Sequence, residues 1–185
     1  MKKISLLLVG MFMAAIGTDV LGDDPQVGVS IINQSGYPDE EVYLYITGDD
    51  DTTHGYFDFN AQSYRIPRFA AVTEMTTTLD QIPATGKKHT FELPGIGGGR
   101  IYFSYGSDFD VLDFDSVSGQ PGYGPADLLL YDKVEFTTSV PGQLNMNNTN
   151  VDFFALPFTF EAVEKKKKKK VRYGFQAGRD TIFAA

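Results

Sequence analysis

Two acidic residues stand inside apolar, strand-like segments in the second half of this sequence. Glu135 lies in V-E-F and Asp152 in V-D-F. In a strand, successive side chains alternate between faces, so Val134 and Phe136 share one face and Glu135 takes the other. Asp152 follows the same pattern. Pro141 and Gly142 form a turn signal between the two segments, and a hairpin there would bring the two acids side by side.

Two carboxyl groups facing one groove are suited to the hydrolysis of a glycosidic bond. One protonates the leaving oxygen, and the other either attacks the sugar carbon or activates a water molecule. A separation of about 6.5–9.5 Å leaves room for that water and inverts the configuration, whereas about 5–5.5 Å gives retention. Acids on exposed strand faces are also ordinary, so spacing alone leaves a solvated sheet face as the alternative.

The elements that would position these acids are short strands separated by Gly- and Pro-rich turns. Strand-like patterns occur in VGVSII, EEVYLYIT, YFDFN, KKHTFEL, RIYFSY, VEFTTSV and VDFFALPFTF. Pro67 restricts YRIPRFA to a sheet edge or to the start of a strand. Residues 97–99 indicate a tight turn into a strand over 100–105, and residues 76–81 allow one helical turn at most. The sequence therefore predicts an all-β, mostly antiparallel sandwich or barrel.

The N-terminal 22 residues predict a signal peptide. Lys2 and Lys3 precede an apolar run from Ile4 to Ile16, and cleavage is expected after Gly22. No later stretch approaches the roughly 20 apolar residues of a membrane helix. We therefore expect a secreted or periplasmic protein, without membrane attachment after cleavage, whose domain spans residues 23–185. Strand-like residues run almost to the end, so we expect the C-terminal part of the domain to be missing.

Composition excludes several classes of function. The formal net charge is −8 although residues 165–170 are all lysine, and such an acidic surface disfavours nucleic acid and suits a neutral ligand such as a sugar. There is no cysteine, and the two histidines, His54 and His89, lie far apart in sequence, which supports neither a metal site nor a Ser-His-Asp triad. We expect a monomer that needs no cofactor and no metal.

The segment VEFTTSVPGQLNMNNTNVDFFALPFTF, with HTFELPGIGGGRIYFSYG upstream, resembles glycoside hydrolase family 64, the laminaripentaose-producing β-1,3-glucanases. The family is similar in fold to thaumatin-like proteins. The resemblance runs in order through nearly all of the chain after the leader but covers only the first part of a family domain. It implies the barrel portion of that fold and an inverting β-1,3-glucanase, endo-type if the cleft is complete, with polysaccharide as its partner.

The resemblance also implies roles for individual residues. Glu135 matches the proton donor of the family, and Asp152 matches the general base, which prepares a water molecule rather than attacking the sugar. Thr137 and Thr149 match threonines that contact sugar.

Two departures from the family pattern bear on sugar binding. Ser139 stands where the family has an Asn near the acid, and residues 144–146 stand where it has a Trp. Aromatic faces supply much of a sugar site's contact area, so Tyr123 or Tyr131 is the expected replacement. The alternatives to a glucanase are a non-catalytic carbohydrate-binding module and an inactive fragment of a larger enzyme.

Overall fold

The structure is a computed structural model that describes residues 4–10, 27–49, 54–60, 63–65, 76–93, 97–109, 129, 131–137, 145–147, 155–164, 169–174 and 181. Its strands are β1 (Ile4–Gly10), β2 (Val27–Ile32), β3 (Val42–Asp49), β4 (His54–Asp58), β5 (Ser63–Arg65), β6 (Thr77–Thr78), β7 (Ala84–Thr85), β8 (Lys88–Leu93), β9 (Gly97–Tyr105), β10 (Tyr131–Thr137), β11 (Asn145–Asn147), β12 (Phe158–Glu164) and β13 (Lys169–Gly174). Two single-turn 3-10 helices, η1 (Asp39–Glu41) and η2 (Leu79–Gln81), join them. The prediction of an all-β, mostly antiparallel fold is confirmed.

Within the described ranges the strands form two sheets. The six-stranded sheet has the order β13-β12-β1-β2-β8-β7, in which only the β1–β12 pair is parallel. The seven-stranded sheet has the order β11-β10-β9-β3-β4-β5, with β6 paired to β3. No helix in this part of the chain is long and apolar enough to cross a membrane.

The main hydrophobic core lies between the two sheets. Val29, Phe91 and Phe158 come from the six-stranded sheet and meet Leu44 and Val134 of the other, and all five are buried. This arrangement follows from period-two alternation, because each strand turns its apolar residues to the shared interior. The result is a β-sandwich, in which β10 carries its apolar face inward and presents its other face to the site described below.

The seven-stranded sheet is covered on its second face as well. Tyr45, on the face of β3 opposite Leu44, is 0% exposed and packs with Tyr102, Phe109 and Tyr131. Alternation alone predicts a polar or solvated second face, yet here tyrosines fill it. Their rings form a second core with offset and edge-on contacts, such as the 5.8 Å separation between the Tyr45 and Tyr102 centroids.

One local prediction differs from the structure. Residues 97–99 are the first residues of β9 rather than a turn before it, so this strand begins three residues earlier than expected. β10 forms a hairpin with β11, and Glu135 pairs with Asn147 on one side and with Arg100 of β9 on the other, whereas the V-D-F segment lies outside the described residues. Both edges of β10 are therefore occupied at Glu135. The predicted edge strand before Pro67 and the single turn near residue 80 are present as β5 and η2.

The first seven residues of the apolar run in the predicted leader, Ile4–Gly10, form β1, between β2 and β12. β2 runs antiparallel to β1, and β12 runs parallel to it, so β2 and β12 are antiparallel to each other. Cleavage after Gly22 would remove β1. The two flanking strands then have the relative direction needed to pair directly, once the gap of one strand spacing, about 4.8 Å, has closed.

Candidate active site

Glu135 lies on β10 with its side chain on the face opposite the main core. Its neighbours Val134 and Phe136 are 0% and 3% exposed and pack in that core. The alternation predicted from V-E-F is therefore confirmed at this residue. The Glu135 side chain is 26% exposed, which places the carboxylate at the boundary between protein and solvent.

Arg100 is the charged neighbour of Glu135. The two residues are directly opposite each other on β9 and β10, and Arg100 Nε donates a hydrogen bond to Glu135 Oε1 at 3.0 Å. Burial lowers the pKa of Arg100, but its hydrogen bond to Glu135 and the neighbouring charges outweigh that effect, and the net pKa is above its ordinary value. The guanidinium therefore stays positively charged and stabilises negative charge on Glu135.

Tyr102 is the neighbour of Arg100 on the same strand, and the two side chains interact. The two residues lie on the same face of β9, and their side chains are hydrogen-bonded. Burial raises the pKa of the Tyr102 phenol well above its ordinary value, while the Arg100 charge opposes the rise. The hydroxyl is therefore neutral at physiological pH. Because Tyr102 is 2% exposed and packed among the rings of the second core, it gives Arg100 a fixed support.

Arg100 and Glu135 both line a cavity of about 230 Å³. Residues 98–100 of β9, 135–137 of β10 and Asn145–Asn147 of β11 line it. Its volume is below the roughly 300–1,000 Å³ of a pocket that encloses a drug-sized ligand. The cavity is therefore smaller than such a pocket, and it carries a carboxylate, a guanidinium, a hydroxyl and two amides at its surface.

The predicted site residues divide into two groups. Glu135 and Thr137 both line the cavity, and Thr137 is half-buried two residues along the same face of β10. Asp152, Thr149, Ser139 and Tyr123 lie outside the described residues.

Tyr131 does not offer the stacking surface that the sequence suggested. It is 6% exposed, and its ring lies against Tyr102 and Phe109, with centroid separations of 6.4 and 5.9 Å. Its faces are used inside the second core. The prediction that Tyr131 replaces a missing Trp at the sugar site is therefore wrong.

Sequence reasoning missed three polar residues of the cavity: Arg100, Asn145 and Asn147. Arg100 follows three glycines and was assigned only to the start of a strand, because the pairing of Arg100 with Glu135 depends on the register between β9 and β10. Asn147 lies on β11, where it pairs with Glu135. The high density of Asn around residue 147 was the available signal.

The main-chain geometry beside the cavity requires glycine at position 99. A Cβ built there would lie 2.5 Å from the Phe136 ring, so the ring rests directly on the backbone of β9. Among the residues that the structure describes, no group of three or more His, Asp or Glu side chains is placed to hold a metal ion.

Comparison with known proteins connects this site to a family. Searches of curated proteins and of solved structures found no significant match. The sequence profile of the glycoside hydrolase family 64, described as beta-1,3-glucanase, matches residues 25–185 and so spans β2 to the last described residue. The chain that places Glu135 and Arg100 side by side on this cavity therefore belongs to the β-1,3-glucanases of glycoside hydrolase family 64.

Proposed function

We propose that this protein is a secreted, inverting β-1,3-glucanase that cleaves within the glucan chain, with Glu135 as proton donor and Asp152 as general base. The observation that carries the proposal is the position of Glu135. It faces a polar cavity from a strand that is paired on both sides at this residue, with a guanidinium at 3.0 Å, in a chain of a β-1,3-glucanase family.

The chemistry follows from two carboxyl groups in different protonation states. Glu135 gives its proton to the glycosidic oxygen as the bond from that oxygen to the anomeric carbon breaks. Asp152 takes a proton from a water molecule, whose oxygen bonds to the anomeric carbon from the opposite face. Glu135 ends ionised, Asp152 ends protonated, and exchange with solvent restores both. The product carries the α configuration because the water enters opposite to the leaving group.

Arg100 assists the step in which charge develops on Glu135. As the proton leaves, the carboxylate becomes negative beside a guanidinium that is already in hydrogen-bonding position. A donor that is preorganised for the developing charge lowers the barrier without further rearrangement. Thr137, Asn145 and Asn147 add a hydroxyl and two amides at the cavity surface, which suit the hydroxyl groups of a sugar.

The test compares laminarin hydrolysis by the wild type and by Glu135→Gln and Asp152→Asn. Each variant keeps the shape of the side chain and removes its acid-base function, so each should lose about 10²–10⁴-fold in kcat. Glu92→Gln and Asp80→Asn are matched controls, because both residues are exposed and lie away from the cavity, on β8 and η2. Full activity in both site variants would refute the assignment.

Four further measurements complete this test. NMR of the first product should show the α-anomer, and an initial β-anomer would contradict the inverting mechanism. Early products of mixed length support internal cleavage, whereas a single short product does not. Retention of the wild type on a laminarin-affinity gel without any hydrolysis product would favour a non-catalytic binding module. Mass spectrometry of the exported protein should give a mature chain that begins at Asp23.

A further inference from the structure

Asp132 is the one acidic side chain that is fully buried among the described residues, at 1% exposed. All three of its hydrogen bonds come from backbone amides. Oδ1 accepts from the N–H of Lys133 at 2.8 Å, and Oδ2 accepts from the N–H of Ala155 at 3.2 Å and of Leu156 at 3.1 Å. The proposed reaction gives this residue no role, although a buried carboxylate is costly unless its hydrogen bonds compensate for lost hydration.

Burial disfavours the charged form of Asp132, and the hydrogen bonds from these backbone amides favour it. Burial raises the pKa of Asp132 from its ordinary 3.8 to about 6, while the hydrogen bonds from Leu156, Lys133 and Ala155 and the charge of Lys133 lower it. The phenol of Tyr105 interacts with this carboxylate. Burial is the main cause of the raised pKa of Tyr105, and the negative charge of Asp132 is the second. At neutral pH the group is therefore a buried anion held by three main-chain donors.

The hydrogen bonds of Asp132 connect two segments that are distant in the sequence, β10 and residues 155–156. Asp132 lies three residues before Glu135 on β10, a distance of about 10 Å along a strand. Ala155 and Leu156 follow Asp152 by three and four residues and lead into β12 of the other sheet. One carboxylate thus joins the strand of the proposed acid to the segment that carries the proposed base.

The contact is rigid at both ends. Asp132 is fixed in a strand that pairs with β9 over this stretch and packs its inner face in the core. Leu156 and Phe158 are each 0% exposed in that same core. A shift of the 155–156 segment relative to β10 would therefore break two hydrogen bonds to a buried anion.

We propose that Asp132 is a positioning residue that fixes the segment carrying Asp152 relative to the strand carrying Glu135, and so sets the separation of the two reacting carboxyl groups. This inference rests on the proposed function. A misplacement of about 1 Å between reacting groups can cost about 100-fold in rate. Loss of Asp132 should therefore lower kcat on laminarin by about 10- to 100-fold and change KM little, because the residue does not line the cavity.

The test uses Asp132→Ala and Asp132→Asn in the full chain. Alanine removes every acceptor, whereas the Asn carbonyl oxygen can still accept from Ala155 and Leu156 but places its amide group toward the Lys133 N–H. We expect kcat to fall most in the alanine variant and partly to recover in the asparagine variant. Leu93→Ala is the control for stability alone, since Leu93 is 0% exposed on β8 of the other sheet. All variants are measured at a temperature where each is folded.

Amide hydrogen exchange supplies a second readout that does not depend on catalysis. Exchange at Ala155 and Leu156 should accelerate most in Asp132→Ala, less in Asp132→Asn, whose carbonyl oxygen still accepts from both groups, and stay slow in Leu93→Ala. A folded Asp132→Ala or Asp132→Asn variant with wild-type kcat, or an equal loss of kcat in Leu93→Ala, overturns the positioning role. If Asp132→Ala does not fold, the asparagine variant decides.

Failure of the proposed function looks different from failure of this inference. A wild type without activity on laminarin, or full activity in Glu135→Gln, removes the reaction itself and with it the catalytic consequence of Asp132. Unchanged exchange at Ala155 and Leu156 in the Asp132 variants removes the tether while leaving the reaction in place.

Discussion

Asp132 should make the stability of this protein fall as pH rises through the mildly acidic range. Its pKa is about 6 in the folded protein, and burial is the main cause of the rise from an ordinary 3.8. In the unfolded chain the group loses its proton near pH 4, whereas in the folded protein it keeps the proton to about pH 6. Between these values the folded state binds more protons, so the free energy of unfolding decreases as pH increases.

The size of the effect follows from the two pKa values. A displacement from 3.8 to about 6 corresponds to about 3 kcal/mol, at 1.36 kcal/mol for each pH unit. This contribution is fully present below pH 3.8, is lost progressively as pH rises to about 6, and is absent above that. Such an amount is a substantial part of the roughly 5–15 kcal/mol that stabilises a typical domain.

The assay is denaturant unfolding of the wild type and of Asp132→Asn at a series of pH values from 3.5 to about 7.5. Asparagine does not titrate, so the difference between the two free energies isolates Asp132 from the other carboxyl groups. That difference, wild type minus variant, should fall by up to about 3 kcal/mol and then become constant. Asp80→Asn is the control, since Asp80 is exposed. A difference that is constant across the range, or that rises with pH, would refute the reasoning.

Two further substitutions test the geometry of the cavity. Arg100→Gln removes the positive charge beside the proposed acid, so Glu135 should keep its proton to higher pH. The basic limb of the pH profile of kcat on laminarin should therefore move to higher pH. A limb that stays in place or moves to lower pH would contradict the ion pair. Gly99→Ala places a methyl group 2.5 Å from the buried Phe136 ring and should cost about 1–3 kcal/mol of unfolding free energy, measured by denaturant unfolding. Gly86→Ala is its control: it meets nothing within 4 Å, and its positive φ of 63° should cost about 1–2 kcal/mol from backbone strain alone. Wild-type stability in the Gly99→Ala variant would show that the ring can move aside.

Eight of the thirteen described strands, β2–β5, β8–β10 and β12, could be predicted because their signals are local. Alternation in β3, β8 and β10 and the turn residues between them are sufficient to place each strand, and they also give the outward direction of Glu135. The prediction failed at residues 97–99, where glycine was taken as a turn signal. Here glycine serves a different purpose, because the Phe136 ring from the neighbouring strand occupies the space that a side chain would need at position 99.

The sequence predicted the residues of the candidate site that lie on the same strand as Glu135, but not those that lie on the neighbouring strands. Arg100, Asn145 and Asn147 reach Glu135 through the registers of β10 with β9 and β11, and a register is a relation between distant segments. Asp132 was missed for a related reason: its partners Ala155 and Leu156 lie 23 and 24 residues away along the chain and offer only their backbone N–H groups, which leave no trace in a sequence.

The pairing of Glu135 with Arg100 places a requirement on the rest of the proposed site. A guanidinium favours the ionised carboxylate, yet a proton donor must carry a proton when the substrate is bound. A second carboxylate nearby restores the balance, because like charges disfavour double ionisation and keep a proton on one of the two groups. Asp152, ionised so that it can act as a base, would supply this charge. The two carboxyl groups then titrate as one coupled pair beside the fixed positive charge of Arg100, and removal of Asp152 lowers the fraction of Glu135 that is protonated as well as removing the base.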